Sequence, residues 1–382
     1  MEFVTSGESH GPAMTAVVSG CPAGVHIDEE ALNADLARRQ GGYGRGGRQQ
    51  IESDTVRVTS GLRFSTTLGT PITLVVENAD HENWAGRMDV FGARPDDLVR
   101  EVHPRPGHAD LTGMLKMGTD DARNILERSS ARETAARVAA GGVAKAFLSA
   151  MGVQVRSFVK RIGHAKADAG EGFSWDAVEE GSCRAPSAAA NAAMEQAIDE
   201  AREAGDSLGG AFTVVADGLV AGLGSFASGP SRLSSKIGAA MFSIPAIKGV
   251  EFGLGFRSAL LPGSKVHDPI VYDAEHGYSR TSNHAGGLEG GMTNGEQLVV
   301  CAAMKPIPTM TSPLPTVNTD THEPSVASRE RSDVCAVPAA AVVAEAELAF
   351  VLADAYLDKF GHDNLGDIIA ARRAYTSRIA WE

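Results

Sequence analysis

Aromatic residues are scarce in this chain, at 5%, and its four cysteines, Cys21, Cys183, Cys301 and Cys335, are widely scattered. The first shortage weighs against stacked-base recognition of single-stranded nucleic acid. The second excludes a closely spaced zinc site or redox motif and leaves reduced thiols in the cytoplasm as the expectation. No uncharged apolar run approaches the roughly 20 residues that span a bilayer. The opening Met-Glu-Phe-Val-Thr-Ser-Gly also lacks the basic and apolar character of an export signal. Positive charge is in deficit: 48 acidic against 35 basic side chains leave a net charge of −13, which repels nucleic acid and anionic membranes over most of the surface. The length of 382 suggests two or three domains, yet 43% hydrophobic residues and no obvious linker, repeat or low-complexity tract across residues 1–382 also allow one large folded unit.

What is present begins with a local reversal of that charge. The glycine-rich run Arg38-Arg-Gln-Gly-Gly-Tyr-Gly-Arg-Gly-Gly-Arg48 carries four arginines and no acid. A guanidinium excess on an acidic protein points to a small, multiply anionic ligand. Strand-like runs rich in β-branched residues occur at Met14–Ser19, Thr55–Thr59, Pro71–Glu77, Phe212–Val220 and Gln297–Met304. Asp28 caps a helix over Glu29–Arg39, and Pro338 opens an alanine-rich helix that runs to Lys359 before Gly361. Ser130-Ala-Arg-Glu133 reads as a capping box ahead of a third helix through Ala135, Ala139, Val143 and Phe147. Strands and helices do not alternate regularly, so an α+β arrangement of mixed sheets packed on helices is expected. The segment 307–332, rich in Pro, Thr and Ser, reads as an irregular lid or ligand loop, with a surface connection as the alternative.

Five further segments carry chemistry. In Gly7-Glu-Ser-His-Gly11 small neighbours leave His10 accessible, and imidazole delivers protons near neutral pH; a plain hydrogen-bonded loop histidine is the other reading. Arg105-Pro-Gly-His-Ala-Asp110 places Arg105 and His108 in one rigid turn suited to phosphate recognition and proton transfer, or simply pairs Arg105 with Asp110. Arg128-Ser-Ser-Ala-Arg132 sits at a helix start, where N–H groups, hydroxyls and guanidiniums converge on an anion. Gly286-Gly-Leu-Glu-Gly-Gly-Met-Thr-Asn-Gly295 lets a backbone approach a flat ring closely, without P-loop or dinucleotide spacing, and is followed by Lys305-Pro-Ile-Pro-Thr309. Arg331-Ser-Asp333 offers an anion contact and a proton acceptor.

In this order and approximate spacing, together with Ser243–Gly249, these motifs resemble those of the chorismate synthase family from Gly7 through the final helix. The resemblance implies a lyase that converts 5-enolpyruvylshikimate 3-phosphate to chorismate and phosphate by 1,4-anti elimination with reduced FMN, the last common step toward aromatic amino acids. It implies a substrate clamp of Arg39, Arg45, Arg48, Arg105 and Arg132, whose planar forks suit a ligand with two carboxylates and a phosphate. It assigns catalysis to His10, which protonates the departing phosphate, His108, which acts near the flavin N1 region, and Asp333, which assists proton removal near N5. Flavin contacts carry over to Arg128, Ser129, Ser130, Pro245, Ala246, Gly290, Lys305, Pro306, Ile307, Pro308, Thr309 and Arg331. Pro245 and Pro308 depart from the family pattern, where an amide and a small hydroxyl residue are usual, and neither can donate a backbone hydrogen bond.

The family fold is a β-α-β sandwich, a helical layer between two antiparallel four-stranded sheets, assembled as a homotetramer. Some members reduce their own flavin with NADPH and others rely on an outside reductase; no dinucleotide fingerprint is visible here. The resemblance calls for no metal. Two other readings stay open at this point: a flavin-independent enzyme acting on another phosphate ester, and an RNA-binding Arg/Gly module.

Overall fold

The computed structural model describes residues 1–47, 53–167, 173–274, 277–329 and 333–380. Two antiparallel sheets carry the architecture. The first has four strands in the spatial order Glu2–Ser6, Ala13–Ser19, Ile72–Glu77, Val56–Ser60. The second has five, in the order Ile247–Phe252, Leu298–Met304, Gly210–Asp217, Gln154–Ile162, Ala165–Lys166. The expectation of four strands in each is corrected at this edge: Gly163, at φ +52°, turns the chain back on itself, and Arg161 and Ile162 pair with Lys166 and Ala165.

Helix Thr134–Ala150 packs on the first sheet and against helix Val337–Phe360, which in turn lies on strands Gln154–Ile162 and Gly210–Asp217 of the second. Small residues permit the close crossing of these helices. A Cβ on Gly141 would lie 2.2 Å from the Cβ of Ala346. The apolar faces of both sheets and the helices between them form one core cluster that includes Phe147, Phe212, Met14 and Tyr356. Most of Val337–Phe360 is buried on all sides, as expected for a helix apolar around its whole circumference. None of the described helices is long and apolar enough to cross a membrane.

Several ends fall where the residues predict. Asp28 accepts from the Glu30 N–H at 2.9 Å and starts Glu29–Gln40, and Gly361 closes Val337–Phe360. The capping box is half made. Ser130 accepts from the Arg132 N–H, but Glu133 accepts from Arg137 Nε at 2.7 Å and from the Thr5 hydroxyl at 3.2 Å. A 3-10 turn, Ala131–Glu133, therefore precedes the helix proper. The stretch 307–329 contains a short antiparallel pair, Pro315–Val317 with Pro324–Val326. Thr319 and Ser328 donate backbone N–H groups to the carbonyls of Val102 and His103, and the Thr316 hydroxyl donates to that of Pro104. These bonds fasten the chain just ahead of the Arg105 turn. The four cysteines are free, and burial pushes the thiols of Cys21, Cys183 and Cys335 up to about 12.

Candidate active site

Segments far apart in sequence meet at the edge of the first sheet. The helix Glu29–Gln40 ends by presenting Arg39, which is 4% exposed. Its guanidinium donates to Thr134 Oγ1 at 3.0 Å, to the Ala131 carbonyl at 3.1 Å and to Asp54 Oδ2 at 3.1 Å. Arg132, from the 3-10 turn, takes the other oxygen of Asp54 and also donates to Asn78 Oδ1 at 2.7 Å and the Glu77 carbonyl at 3.0 Å. Burial first, then the fields of Arg45 and Arg132, lower the Arg39 guanidinium to about 10 against the opposing pull of Asp54 and Asp333. It stays charged at neutral pH. Arg45 pairs with Asp333 Oδ2 at 2.6 Å, and Asp333 Oδ1 accepts from the Gly46 N–H at 2.6 Å.

Asn78 joins this cluster to the histidine turn by donating to the carbonyls of Gly11, at 2.7 Å, and Glu8, at 3.2 Å. His10 is buried there, which corrects the expectation of an accessible imidazole: Trp84 and Glu127, distant in sequence, cover it. Its Nδ1 is 2.8 Å from Glu127 Oε1, its backbone N–H donates to Glu127 Oε2 at 2.8 Å, and its ring stacks on Trp84 with centroids 4.1 Å apart. Nε2 lies 3.8 Å from Asp80 Oδ2. Burial acts to raise the Glu127 carboxyl, but the bonds from His10 and the nearby Arg123 outweigh it and hold the group below its ordinary range. Beside this turn the Ser9 hydroxyl donates to Ser130 Oγ at 3.0 Å, and Arg128 reaches Thr5 and the Gly7 carbonyl.

A second set of residues surrounds the Arg105 turn. Arg105 pairs with Asp110 through Nε at 2.8 Å and donates to Thr309 Oγ1 at 3.1 Å. His108 Nδ1 is 2.5 Å from Asp110 Oδ1 and 3.1 Å from Arg105 Nη2. An ionised carboxylate only accepts, so Nδ1 donates to Asp110, and the guanidinium, itself only a donor, lies beside that N–H without bonding to it. Burial opposes this, but the bonds from His108 and Arg105 hold Asp110 well below the usual carboxylate range. Lys305 donates to the Gly107 carbonyl, and its backbone N–H to Ala246, whose φ of +68° turns that carbonyl inward. The two sets are connected by helix Asp110–Met117, which packs on helix Arg123–Ser129, the carrier of Glu127 and Arg128.

The structure thus gathers His10, Arg39, Arg45, Arg128, Ser130, Arg132 and Asp333 in one group, and Arg105, His108, Ala246, Lys305 and Thr309 in a neighbouring one. Ser129 is turned to the Ile125 carbonyl at 2.9 Å. The Ile307 carbonyl accepts from the Ser207 hydroxyl, Pro306 is exposed, and Pro245 and Pro308 are half-buried. Gly290 lies in the separate turn between Leu288–Glu289 and Met292–Thr293, with Met292 Cε its nearest neighbour in side-chain space. Arg48 and Arg331 lie outside the described residues.

Each of the described arginines of the two groups lies against a carboxylate, and cavities of about 360 Å3 beside Lys160, Glu251 and Cys301 and about 260 Å3 beside Phe3 and Asp354 lie elsewhere. Residues that the motifs missed hold this arrangement: Asp54, Asn78, Asp80, Trp84 and Glu127. Asp54 and Asn78 stand at strand ends, and no local pattern marks them.

The family model for chorismate synthase matches residues 1–357. A chorismate synthase of Geobacter sulfurreducens is 50% identical over 402 residues, covering 100% of this chain and 99% of that protein. One from Desulforamulus reducens is 51% identical over 377 residues, covering 97% of each. A crystal structure of chorismate synthase superposes with a TM-score of 0.81 at 39% identity, covering 100% of this chain and 98% of the other.

Proposed function

The chain belongs to the chorismate synthase family and is an enzyme that forms chorismate, and on that premise we propose how its own residues carry the reaction. The substrate is 5-enolpyruvylshikimate 3-phosphate, and the products are chorismate and phosphate by 1,4-anti elimination. The observation that carries this reading is the Arg39–Asp54–Arg132 bridge beside the His10 turn: two buried guanidiniums with one shared counter-ion, next to a buried proton donor.

Arg39, Arg45, Arg105 and Arg132 bind the two carboxylates and the phosphate. Charge-assisted forks are strongest where water is excluded, and exposures of 4%, 7% and 6% for Arg39, Arg105 and Arg132 meet that condition. On binding, the ligand's anionic groups compete with Asp54, Asp333 and Asp110 for these guanidiniums. Release of Asp333 from Arg45 frees its carboxylate to take a proton. His10 gives a proton to the departing phosphate, while Glu127 and Trp84 fix its ring.

The family reaction uses reduced FMN, and the residues around the Arg105 turn fit such a group. Lys305, partly desolvated beside Lys248 and lowered from its ordinary value by both, has no carboxylate partner among the described residues and suits an anionic cofactor. Ala246, Lys305, Thr309, Arg128 and Ser130 would hold it, with His108 as the adjacent proton donor. A reduced flavin held there would supply electron density to the elimination without net redox change. We read the layout as a β-α-β sandwich over a single unit, and the enzyme as a cytoplasmic homotetramer. NADPH enters only as a source of electrons for the flavin.

The test is an anaerobic assay with chemically reduced FMN and 5-enolpyruvylshikimate 3-phosphate. Equal amounts of chorismate and phosphate are expected, with none from oxidised FMN. Turnover without flavin would favour the phosphate-ester alternative, and salt-sensitive RNA retention without turnover the Arg/Gly module.

A further inference from the structure

Glu127 is absent from every motif that announced the site, yet it holds His10 at two points. One carboxylate oxygen is 2.8 Å from ring Nδ1, and the other accepts the His10 backbone N–H at 2.8 Å. The side chain is 3% exposed, and helix Arg123–Ser129 fixes its backbone, whose carbonyl accepts the Ser9 N–H at 2.9 Å. The ring can neither turn nor slide, because Trp84 covers a face at a centroid distance of 4.1 Å. We propose that Glu127 is a positioning residue that locks Nδ1–H of His10 and directs the Nε2 proton of the ring to the phosphate that leaves. This rests on the reading of His10 as the acid.

Charged and titratable groups from the neighbouring elements bear on the proposal. Glu127 faces Nδ1, Asp80 lies 3.8 Å from Nε2, Arg123 sits 3.3 Å from Glu127 Oε1 and over Trp84, and His81 Nδ1 is 2.9 Å from the His10 carbonyl. A carboxylate that accepts from Nδ1 fixes that nitrogen as a donor, so Nε2 is the ring nitrogen left to serve the phosphate. Arg123 tempers Glu127 and keeps its oxygens in place. The Glu127 carboxyl, held below its ordinary range, remains ionised throughout the working pH range.

The step balances as follows. Over the elimination the C–O bond to phosphate breaks with its electron pair on the leaving oxygen, and the C–H bond breaks with its pair entering the new diene and its proton going to Asp333. The Nε2 proton moves to a phosphate oxygen, and the imidazole is left neutral with Nδ1–H still on Glu127. Water restores the proton at Nε2 after phosphate departs. No charge crosses to Glu127, which is why its role is orientation and not transfer.

The test compares Glu127→Gln, Glu127→Asp and His10→Asn in the full chain, using the assay above across pH. Glu127→Gln is expected to lower kcat at pH 8 by at least about tenfold, to leave KM within about twofold, and to move the basic limb of the kcat profile down by about one pH unit. Glu127→Asp should recover part of each. Independently of flavin or turnover, the Nδ1–H proton resonance of His10 in histidine-labelled protein, identified by its absence in His10→Asn, should be displaced or lost in Glu127→Gln, where the carboxylate acceptor is gone. A uniform loss of kcat with limb and resonance unmoved would make Glu127 merely structural and overturn the proposal. If Glu127→Gln does not fold, Glu127→Asp carries the same test, with a smaller downward displacement expected and none overturning it. Parent turnover in His10→Asn would instead remove the underlying reading of His10.

Discussion

Asp54 sits between Arg39 and Arg132 with one carboxylate oxygen on each guanidinium, its side chain wholly buried. The two arginines come from the end of a helix and from a 3-10 turn 93 positions further on, and this aspartate is their common counter-ion. On the proposed reading a polyanionic substrate would meet cations already oriented and already neutralised in part.

Asp54→Asn should therefore destabilise the free enzyme and make its stability depend on anions. Breaking a buried pair costs on the order of 3–5 kcal/mol. Inorganic phosphate should restore part of the lost Tm in the variant and change the parent much less. Equal phosphate responses in both proteins would show that Asp54 does not occupy the ligand's place.

Asp333 is engaged at both oxygens, by Arg45 and by the Gly46 N–H. Asp333→Asn keeps the shape and removes the proton acceptor, so kcat should fall by about 100-fold with KM nearly unchanged. If KM moved and kcat did not, Asp333 would be a partner for Arg45 only.

Glu345 is fully buried in the long core helix and meets Arg38 at 2.8 Å, Lys145 at 2.7 Å and the Ser157 hydroxyl at 2.6 Å. Burial alone would raise its carboxyl, but Lys145 and Arg38 hold it well below the usual range. A carboxyl lowered in the native state contributes its stability in full above its unfolded value of about 4.3, and loses it as pH falls toward the native value. Glu345→Gln should cost roughly 3–5 kcal/mol at pH 7. In urea melts the gap to the parent should shrink below about pH 4; a gap independent of pH would contradict this.

Gly141 faces Ala346 where the two core helices cross, and an added Cβ would meet its Cα at 2.6 Å. Gly141→Ala gains helix propensity but overpacks the crossing. A net loss of about 1–3 kcal/mol is expected by denaturant unfolding. An unchanged midpoint would mean that the helices separate without cost.

Much of the fold is legible locally. The Asp28 cap, the Pro338 start and the Gly361 stop follow from the valence of free backbone groups, and five strand runs differ from the observed strands by only a few residues. The alternation in Gln154–Ile162 was equally readable, since Val155, Ser157 and Val159 point inward, but its charged outer residues disguised it. Glu133 misled because an arginine one turn on, Arg137, competes for its carboxylate more strongly than a backbone N–H does.

By itself the sequence marked candidate groups: a histidine between small residues, arginine forks in a run without acids, and glycine-rich turns. Only the folded chain decided their partners. Asp54, Asp80, Glu127 and Trp84 reach the site from strand ends, a 3-10 turn and another helix, across separations of up to 117 residues, and side-chain pairing at that range leaves no local period to read. Charge and propensity act between neighbours in sequence, whereas burial, which makes those pairs strong, exists only after the layers have packed.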